Sequence, residues 1–297
     1  MSKSKKLIFF GSGPVAASSL RLLAQDFSIE AVITKPRSPH HRGEVPVLEL
    51  AEELKLPVYT ASNKAELDEL FAKQKFESEV GALIDFGIIV SQKVIDYFPL
   101  GIINSHFSIL PQWRGADPIT FAVLSGQDTT GVSLMLLVEA MDEGPLLAFG
   151  EYKIPPDITT PDLTDELIKL SHVLLKEIVP KYQAGELRPM PQAITKQLVS
   201  YSRKLIKADG AVNWKKPAKE IEREIRAYLG WPKSQAKILG HDVIITAARV
   251  AKDKNDGDLV MQCQPGWLEI KNLIAPSGRT MNGSDFTRGY WPRHQAL

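Results

Sequence analysis

The chain has 297 residues, of which 44% are hydrophobic and 24% are charged. This balance is typical of a globular protein with room for two domains, and it excludes a disordered or fibrous chain. The single cysteine, Cys263, excludes an internal disulfide, and the few apolar residues before Gly11 are too short for a signal-peptide core or a membrane span. We therefore expect a cytoplasmic protein.

Charge is distributed unevenly along the chain. The formal net charge is +1, but residues 204–297 carry 16 Lys and Arg against 10 Asp and Glu, whereas the rest of the chain carries 20 against 25. A basic C-terminal third favours an anionic partner such as nucleic acid, although solvated lysines on an ordinary surface give the same count.

Residues 6–13, KLIFFGSG, predict a buried strand that ends in a glycine loop, and the helical spacing after them predicts a helix. Gly11, Gly13 and Ala16 also fit the pattern G-x-G-x-x-G/A, so one alternative is a nicotinamide-dependent Rossmann oxidoreductase. The next predicted strand, residues 29–35, argues against it. Its acidic residue stands at the start of the strand, whereas a ribose-binding carboxylate belongs at the end.

Residues 36–46 are rich in proline and basic side chains without an apolar period, and we expect a loop at the surface. His40 and His41 lie in this loop, but they lack a third ligand, so no metal site is predicted. The segments beyond the loop predict, in order, a helix and a short strand over 45–61, an amphipathic helix over 64–76 and a buried strand over 80–84.

The most informative stretch is residues 101–119, GIINSHFSILPQWRGADPI. Its start predicts a short buried parallel strand, and the two-residue repeat of a strand puts Asn104 and His106 on one face. Asp117 and Pro118 predict the N-cap and first turn of a short helix. Because ligands of open α/β sheets bind at the carboxyl ends of strands, the polar pair indicates a site there. The alternative is a strand end at which both side chains only satisfy loop backbone.

A further strand is predicted over residues 130–140, and it delivers Asp142 into a turn fixed by Gly144 and the proline after it. A carboxylate thus joins the polar pair of the preceding strand. Residues 145–185 then predict another strand and a long amphipathic helix.

Residues 186–204 contain two prolines and no sustained period. We predict that they link a catalytic domain at 1–185 to a C-terminal domain at 205–297. The C-terminal domain begins with a charged helix and continues with short strands separated by Gly, Asp and Asn, which predicts a small barrel of the oligonucleotide-binding (OB) type. The predicted fold class is α/β, with a Rossmann-like, mostly parallel sheet followed by an OB-like β-barrel.

The run NSHFSILPQWRGADP, residues 104–118, resembles the signature of the 10-formyltetrahydrofolate-dependent formyltransferases, Asn-x-His-x-Ser-Leu-Leu-Pro followed by an Arg-Gly-Ala-Ala-Pro run. The resemblance continues in TTGVSLMLLVEAMDEGPLL, where Thr130, Gly131 and Asp142 match the second block of the family. GAVNWKKPAKEIEREIRAYLGWP and LEIKNLIAPSGRTMNGSDFTRGYW resemble the tRNA-binding domain of some members.

This resemblance implies 10-formyltetrahydrofolate as the cosubstrate and methionyl initiator tRNA as the acceptor, in a monomer that serves translation initiation. A formyltransferase acting on a sugar or nucleotide amine is the alternative within the family. The basic C-terminal third disfavours it, because a small acceptor needs no second phosphate-binding module.

The resemblance also implies roles for particular residues. The catalytic residues are Asn104, His106 and Asp142, the folate-binding turn is Ser108, Ile109, Leu110 and Pro111, and the tRNA contact is Arg42. Formyl transfer needs a neutral amine, a stabilised oxyanion and a route for protons, which an amide N–H, an imidazole and a carboxylate can supply. Ser108 as the nucleophile of a serine hydrolase is disfavoured because no G-x-S-x-G elbow is present.

Overall fold

The computed structural model describes residues 6–37 and 45–290. The chain divides into two compact units, and each is built from three segments. The first unit is drawn from Met1–Gly115, Thr129–Lys153 and Thr164–Tyr201, and the second from Ala116–Asp128, Ile154–Leu163 and Ser202–Leu297.

The first unit is organised around a seven-stranded sheet of order β3-β2-β1-β4-β5-β7-β8. Its strands are β1 (Lys6–Phe10), β2 (Ser28–Thr34), β3 (Val58–Thr60), β4 (Gly81–Leu83), β5 (Ile102–His106), β7 (Thr129–Leu136) and β8 (Leu146–Lys153). The pairs from β3 to β5 are parallel, and β7 and β8 are added antiparallel. The prediction of a Rossmann-like, mostly parallel sheet is confirmed.

Helices connect these strands where the apolar period changes from two to about 3.6. They are α1 (Pro14–Asp26), α2 (Pro46–Glu53), α3 (Lys64–Lys73) and α4 (Gln92–Asp96), followed later in the chain by α6 (Thr160–Gln183), which starts in the second unit and continues in the first. A two-stranded sheet pairs β6 (Arg114–Gly115) with β9 (Tyr201–Ser202).

Aromatic packing fixes one face of the parallel sheet. Phe10, on β1, lies with its ring centroid 5.6 Å from that of Phe86, 5.8 Å from Phe71 and 6.0 Å from Phe98. All four side chains are buried, and edge-to-face and stacked pairs at such distances contribute about 0.5–1.5 kcal/mol each beyond the burial of area. The same core contains Ile8 of β1 and Ile102 of β5, so the cluster packs along the strands beside the site.

The glycine loop after β1 has a packing role. A Cβ at Gly11 would lie 2.6 Å from Cβ of Ala16 and 2.9 Å from the carbonyl oxygen of Ile84, so the close approach of helix and strand requires glycine. Glu30, at the start of β2, accepts hydrogen bonds from the backbone N–H groups of Glu77 and Ser78 at 2.8 Å. The only acid of β2 therefore has a structural partner at the amino end of the strand, as expected for a chain that does not bind a dinucleotide ribose there.

Helix α5 (Pro118–Ser125) begins with proline as predicted, but Asp117 is not its side-chain cap. The residue has φ 58 and ψ 36, in the left-handed region, whereas a side-chain cap usually has an extended backbone. Its Oδ2 instead accepts a hydrogen bond from the backbone N–H of Leu205 at 3.0 Å, within the second unit. Asp117 therefore stands at the predicted N-cap position, where its carbonyl oxygen accepts from the Phe121 N–H at 3.2 Å, but its side chain bonds Leu205 and gives the helix no side-chain cap.

The second unit contains a curled antiparallel sheet of order β10-β11-β13-β12, with β14 paired to β13. Its elements are α7 (Ala218–Ala227), β10 (Ser234–Ile238), β11 (His241–Ala251), β12 (Val260–Cys263), β13 (Gly266–Ile274), β14 (Thr280–Asn282) and α8 (Gly283–Tyr290). Register shifts on either side of Ala247 mark irregular pairing in β11, and bulges of this kind bend a strand. The predicted barrel-like sheet is confirmed in this half-barrel form, whereas α8 was not predicted.

Helix α7 covers this sheet with one apolar face. Ile221 and Ile225, one helical turn apart, are both buried in a core that also contains Leu268 and Phe286. No helix within residues 6–37 and 45–290 combines the length and the apolar character that a membrane crossing requires.

Candidate functional site

Strand β5 presents two polar side chains from a buried position. Asn104 and His106 are 8% and 6% exposed, and their spacing of two residues puts both on the same face of the sheet. Backbone pairing on both sides, parallel to β4 and antiparallel to β7, holds the strand in place. The structure therefore has Asn104 and His106 on one face of the strand, as predicted.

Asp142 reaches the same place from the turn after β7. The residue has φ 52, and Gly144 passes so close to Leu136 that a Cβ on it would lie 1.7 Å from the Leu136 carbonyl oxygen. One carboxylate oxygen, Oδ2, accepts a hydrogen bond from the backbone N–H of Gly115 at 2.7 Å. The turn thus depends on Gly144 and on the backbone N–H of Gly115, which together place the carboxylate beside β5.

The other carboxylate oxygen of Asp142 joins the three predicted catalytic side chains. Its Oδ1 lies 3.4 Å from Nδ2 of Asn104, a long hydrogen bond, and 3.7 Å from Nδ1 of His106. An amide donor, an imidazole and a carboxylate thus meet at one point on the first unit. The group can donate hydrogen bonds to an oxyanion and exchange a proton between carboxylate and ring, provided that the reacting atoms reach it.

The predicted folate-binding turn, residues 108–111, is buried in full. The Ser108 hydroxyl donates to the carbonyl oxygen of Gln112, and Ser133 braces the turn from β7 by donating to the Ser108 carbonyl at 2.8 Å while accepting from the Leu110 N–H at 3.0 Å. A fully buried hydroxyl with a backbone partner is a poor nucleophile, which removes the case for a serine hydrolase. Ile109 and Pro111 are buried in the same turn.

The other positions that matched the family signature serve packing or lie outside the description. Thr130 is fully buried on β7, and a Cβ at Gly131 would lie 2.0 Å from the carbonyl oxygen of Gly150 on the neighbouring strand. Arg42, the predicted tRNA contact, and the pair His40 and His41 fall outside the described residues. Within residues 6–37 and 45–290, no three His, Cys, Asp or Glu side chains form a group that could hold a metal.

The segment predicted as a linker supplies residues that were not predicted from the sequence. Gln192, 7% exposed, donates from Nε2 to the carbonyl oxygens of Asp142 at 2.7 Å and Gly144 at 2.9 Å. Ser200 accepts a hydrogen bond on its hydroxyl from the Trp113 N–H at 2.9 Å. No periodic pattern marks these residues in the sequence, because single polar side chains in an irregular segment leave none.

Two family models match the chain. The model described as formyl transferase matches residues 5–179, and the model described as formyl transferase, C-terminal domain, matches residues 204–291. Similar curated proteins include the methionyl-tRNA formyltransferase of Roseiflexus castenholzii, 31% identical over 96% of each chain. The methionyl-tRNA formyltransferase of Chloroflexus aurantiacus is 33% identical, again over 96% of each chain.

Solved structures of other proteins share the fold. The N-formyltransferase from Helicobacter canadensis, in complex with folinic acid and dTDP-3-aminofucose, is 19% identical and has a TM-score of 0.65, with 92% of this chain and 95% of that one covered. HypX from Aquifex aeolicus, in complex with tetrahydrofolic acid, is 17% identical with a TM-score of 0.65, and the match covers 96% of this chain and 47% of HypX. At these identities the likeness concerns the fold.

Proposed function

Because the chain belongs to the formyl transferase family, we propose that it transfers the formyl group of 10-formyltetrahydrofolate to the amino group of methionyl initiator tRNA, for translation initiation. The observation that carries the proposal is that one carboxylate oxygen of Asp142 lies 3.4 Å from Asn104 Nδ2 and 3.7 Å from His106 Nδ1. Methionyl-tRNA formyltransferases that match nearly the full length of the chain support this choice of acceptor.

The proposed reaction makes one bond and breaks another. The neutral amine of the methionyl group attacks the formyl carbon, and the carbonyl oxygen becomes an oxyanion. The bond from the formyl carbon to N10 of the folate then breaks, so that the amine has lost a proton and N10 has gained one. The protein therefore has to stabilise the oxyanion and carry a proton from one nitrogen to the other.

Each of the three side chains has a proposed part in this sequence. Asn104 Nδ2 donates a hydrogen bond to the oxyanion, a contact for which its long bond to Asp142 leaves it available. His106, whose Nδ1 lies 3.7 Å from the Asp142 carboxylate, donates a second hydrogen bond to the same oxygen. Asp142 receives the amine proton, directly or through an ordered water, and returns it for N10.

We propose that the turn Ser108, Ile109, Leu110 and Pro111 supports the folate, with its backbone rather than its buried side chains as the contact. The braces from Ser133 make this backbone rigid, so that a bound folate would keep its formyl group next to β5. The resemblance implies that the loop of Asp85, Phe86 and Gly87 holds the pteridine through its backbone, and we include this contact in the proposal; Asp85 and Gly87 have φ 47 and 65.

The second unit is the proposed tRNA-binding module. A groove of about 580 Å³ lies on its sheet, and the charged residues that line it are Lys207, Lys233, Lys237 and Asp242. Three cations against one anion suit a phosphate backbone, which would give affinity without sequence reading. We propose Arg42 as a further tRNA contact. We also propose a catalytic domain at 1–185, a linker at 186–204 and a C-terminal domain at 205–297. The proposed protein is a monomer of the cytoplasm.

A transfer assay with matched acceptors tests the proposed function. The full-length protein is mixed with 10-formyltetrahydrofolate and, in parallel, with methionyl initiator tRNA, glycinamide ribonucleotide or a dTDP-amino sugar. We expect formylation of the methionyl-tRNA alone. Preferential formylation of the nucleotide or the sugar would leave the family assignment intact and refute the acceptor.

A further inference from the structure

Gln192 is the side chain that closes the Asp142 turn. Its two amide protons have two acceptors, the carbonyl oxygens of Asp142 at 2.7 Å and Gly144 at 2.9 Å, and its Oε1 accepts from Nη2 of Arg114 at 2.8 Å. A flipped amide would set Oε1 against two carbonyls and Nε2 against a guanidinium, so these partners fix its orientation. The amide is satisfied on every side while being 7% exposed.

Arg114 connects this amide to the other side of the site. Its Nη1 donates to Glu143 Oε1 at 2.8 Å, and its own backbone N–H donates to the carbonyl oxygen of Ser200 at 2.9 Å. Gly115, the next residue, gives the 2.7 Å backbone hydrogen bond to the Asp142 carboxylate. Gln192 therefore reaches Asp142 both through its carbonyl and, by way of Arg114, through the strand that holds its carboxylate.

We infer that Gln192 is a positioning residue for formyl transfer, which sets the distance between the Asp142 carboxylate and His106. The inference rests on the proposed catalytic site and goes beyond it, since Gln192 would touch neither substrate. Asp142 sits in a turn at φ 52, where the backbone of a non-glycine residue needs support from its surroundings. Buried hydrogen bonds to two carbonyls of that turn supply this support.

Two substitutions separate the parts of the contact. Gln192→Leu keeps the approximate volume and removes every hydrogen bond of the amide. Gln192→Glu keeps an acceptor for Arg114 but places an oxygen against the two carbonyls. The hydrogen bonds to the Asp142 turn are then lost, whereas the one from Arg114 remains. Gln183→Leu is the matched control, because Gln183 is also partly buried in the first unit and its Nε2 donates to the carbonyl of Lys6 at 3.3 Å.

The experiment measures kcat and both KM values for the full-length variants, with 10-formyltetrahydrofolate and methionyl initiator tRNA, alongside thermal unfolding. A misplacement near 1 Å costs about 100-fold in rate, so we expect Gln192→Leu and Gln192→Glu to lower kcat by about 100-fold. Both KM values should stay within about threefold of wild type, and Gln183→Leu should be unaffected.

A double-mutant cycle with Asp142→Asn distinguishes positioning from a general loss of structure. In that background Gln192→Leu should lower kcat by less than about threefold, because the carboxylate it positions is already gone. A full loss in the Asp142→Asn background, or a kcat within threefold of wild type for folded Gln192→Leu, would overturn the inference. Unfolding of both Gln192 variants would overturn it too, since the residue would then serve the fold.

The same measurements keep this inference apart from the proposed site. Near-normal turnover of Asp142→Asn would refute the catalytic assignment itself. An impaired Asp142→Asn beside a fully active Gln192→Leu would refute only the positioning role.

Discussion

Nε2 of His106 lies 2.9 Å from the carbonyl oxygen of Trp113. A carbonyl can only accept, so Nε2 carries a proton and Nδ1 is the ring nitrogen that faces Asp142, 3.7 Å from its Oδ1. Ser200 fixes Trp113 through the backbone N–H of that residue. The orientation of the imidazole is therefore determined by backbone, and the chemistry is left to Nδ1.

Replacement of the imidazole by an amide tests this assignment. In His106→Gln the side chain can still donate to Trp113 but has no nitrogen toward Asp142, so we expect kcat to fall at least about 100-fold while the protein stays folded. Steady-state formylation and thermal unfolding measure the two effects. His172→Gln is the control, because His172 also pairs with a carboxylate, Asp26 at 3.1 Å, in the same unit. Equal activity of the two variants would contradict the role of Nδ1.

Asn104→Asp replaces an amide donor by a carboxylate beside the one already present on Asp142, 3.4 Å away. The oxyanion would lose a hydrogen bond and meet a negative charge, so we expect kcat to fall about 100- to 1000-fold with a much smaller change in KM for the folate. Steady-state kinetics over a range of folate concentrations give both constants. A sharp rise in that KM at unchanged kcat would make Asn104 a binding residue.

Neutralisation of the lysine groove on the second unit should weaken tRNA binding at physiological salt. A variant with Lys207, Lys233 and Lys237 all changed to Gln should also bind with a shallower dependence on salt, because each lost phosphate contact removes about 0.7–0.9 from the slope of log K against log[salt]. The slope is measured by filter binding of methionyl-tRNA at salt concentrations from about 50 to about 300 mM.

The matched control for the groove carries the same change of charge elsewhere. The control positions Lys73, Lys169 and Lys181 lie on helices of the first unit and pair with glutamates of their own helices. A triple Lys→Gln variant at these positions should keep the wild-type slope. If the two triple variants have the same slope, the groove is not the tRNA contact.

Asp117→Ala should destabilise the second unit. The substitution removes the acceptor of the Leu205 N–H, and a hydrogen bond to a charged group contributes about 1.5–3 kcal/mol. It also leaves a non-glycine residue at φ 58. Asp117→Asn keeps an acceptor and tolerates this backbone region, so we expect it to retain most of the stability. Urea unfolding followed by tryptophan fluorescence, to which Trp214, Trp231 and Trp267 of the second unit contribute, compares the variants. Equal midpoints for Ala and Asn would show that the hydrogen bond contributes nothing.

The ion pair between Arg203 and Asp209 predicts a dependence of stability on acid. The Arg203 guanidinium, with Nη2 2.6 Å and Nη1 2.8 Å from the carboxylate oxygens, lowers the pKa of Asp209 to about 2. A carboxyl group whose pKa is lowered by folding stabilises the protein fully above its unfolded pKa of about 4, and this contribution is lost as the pH falls toward 2. Arg203→Gln should therefore raise the pH midpoint of acid unfolding.

The control for the acid experiment is Arg288→Gln. Arg288 pairs with Asp285, whose side chain is 53% exposed against 14% for Asp209, so the same loss of charge falls on a better solvated pair. Its acid midpoint, read by circular dichroism, should stay near wild type. An unchanged acid midpoint for Arg203→Gln would show that the ion pair does not contribute to the stability of the folded protein.

Local alternation was enough to predict the strands that carry the site. The two-residue repeat that puts Asn104 and His106 on one face depends only on neighbouring residues, and so does the apolar run of β1. Short apolar runs between turn residues are also a local signal, and they predicted that the second unit is built from short strands.

Contacts between distant residues could not be predicted in this way. Gln192 is 50 residues from Asp142, and Leu205 is 88 residues from Asp117. A single hydrogen bond across such a separation changes neither the period nor the composition of the segment around it. The expected side-chain cap at Asp117 depended on near neighbours alone, which give no sign of the bond to Leu205.

The alternation of segments between the two units affects how the chain can be made and divided. Helix α5 and residues 154–163 leave the ribosome long before α7, yet they belong to the unit that α7 completes. Ile119 and Val123 of α5 are buried in the finished protein, and α5 packs on α7. A nascent chain that ends near residue 203 would therefore expose the apolar residues of α5 that α7 covers in the finished protein. A shortened protein without α7 would therefore need polar residues at the positions of α5 that α7 covers, in addition to a stop codon.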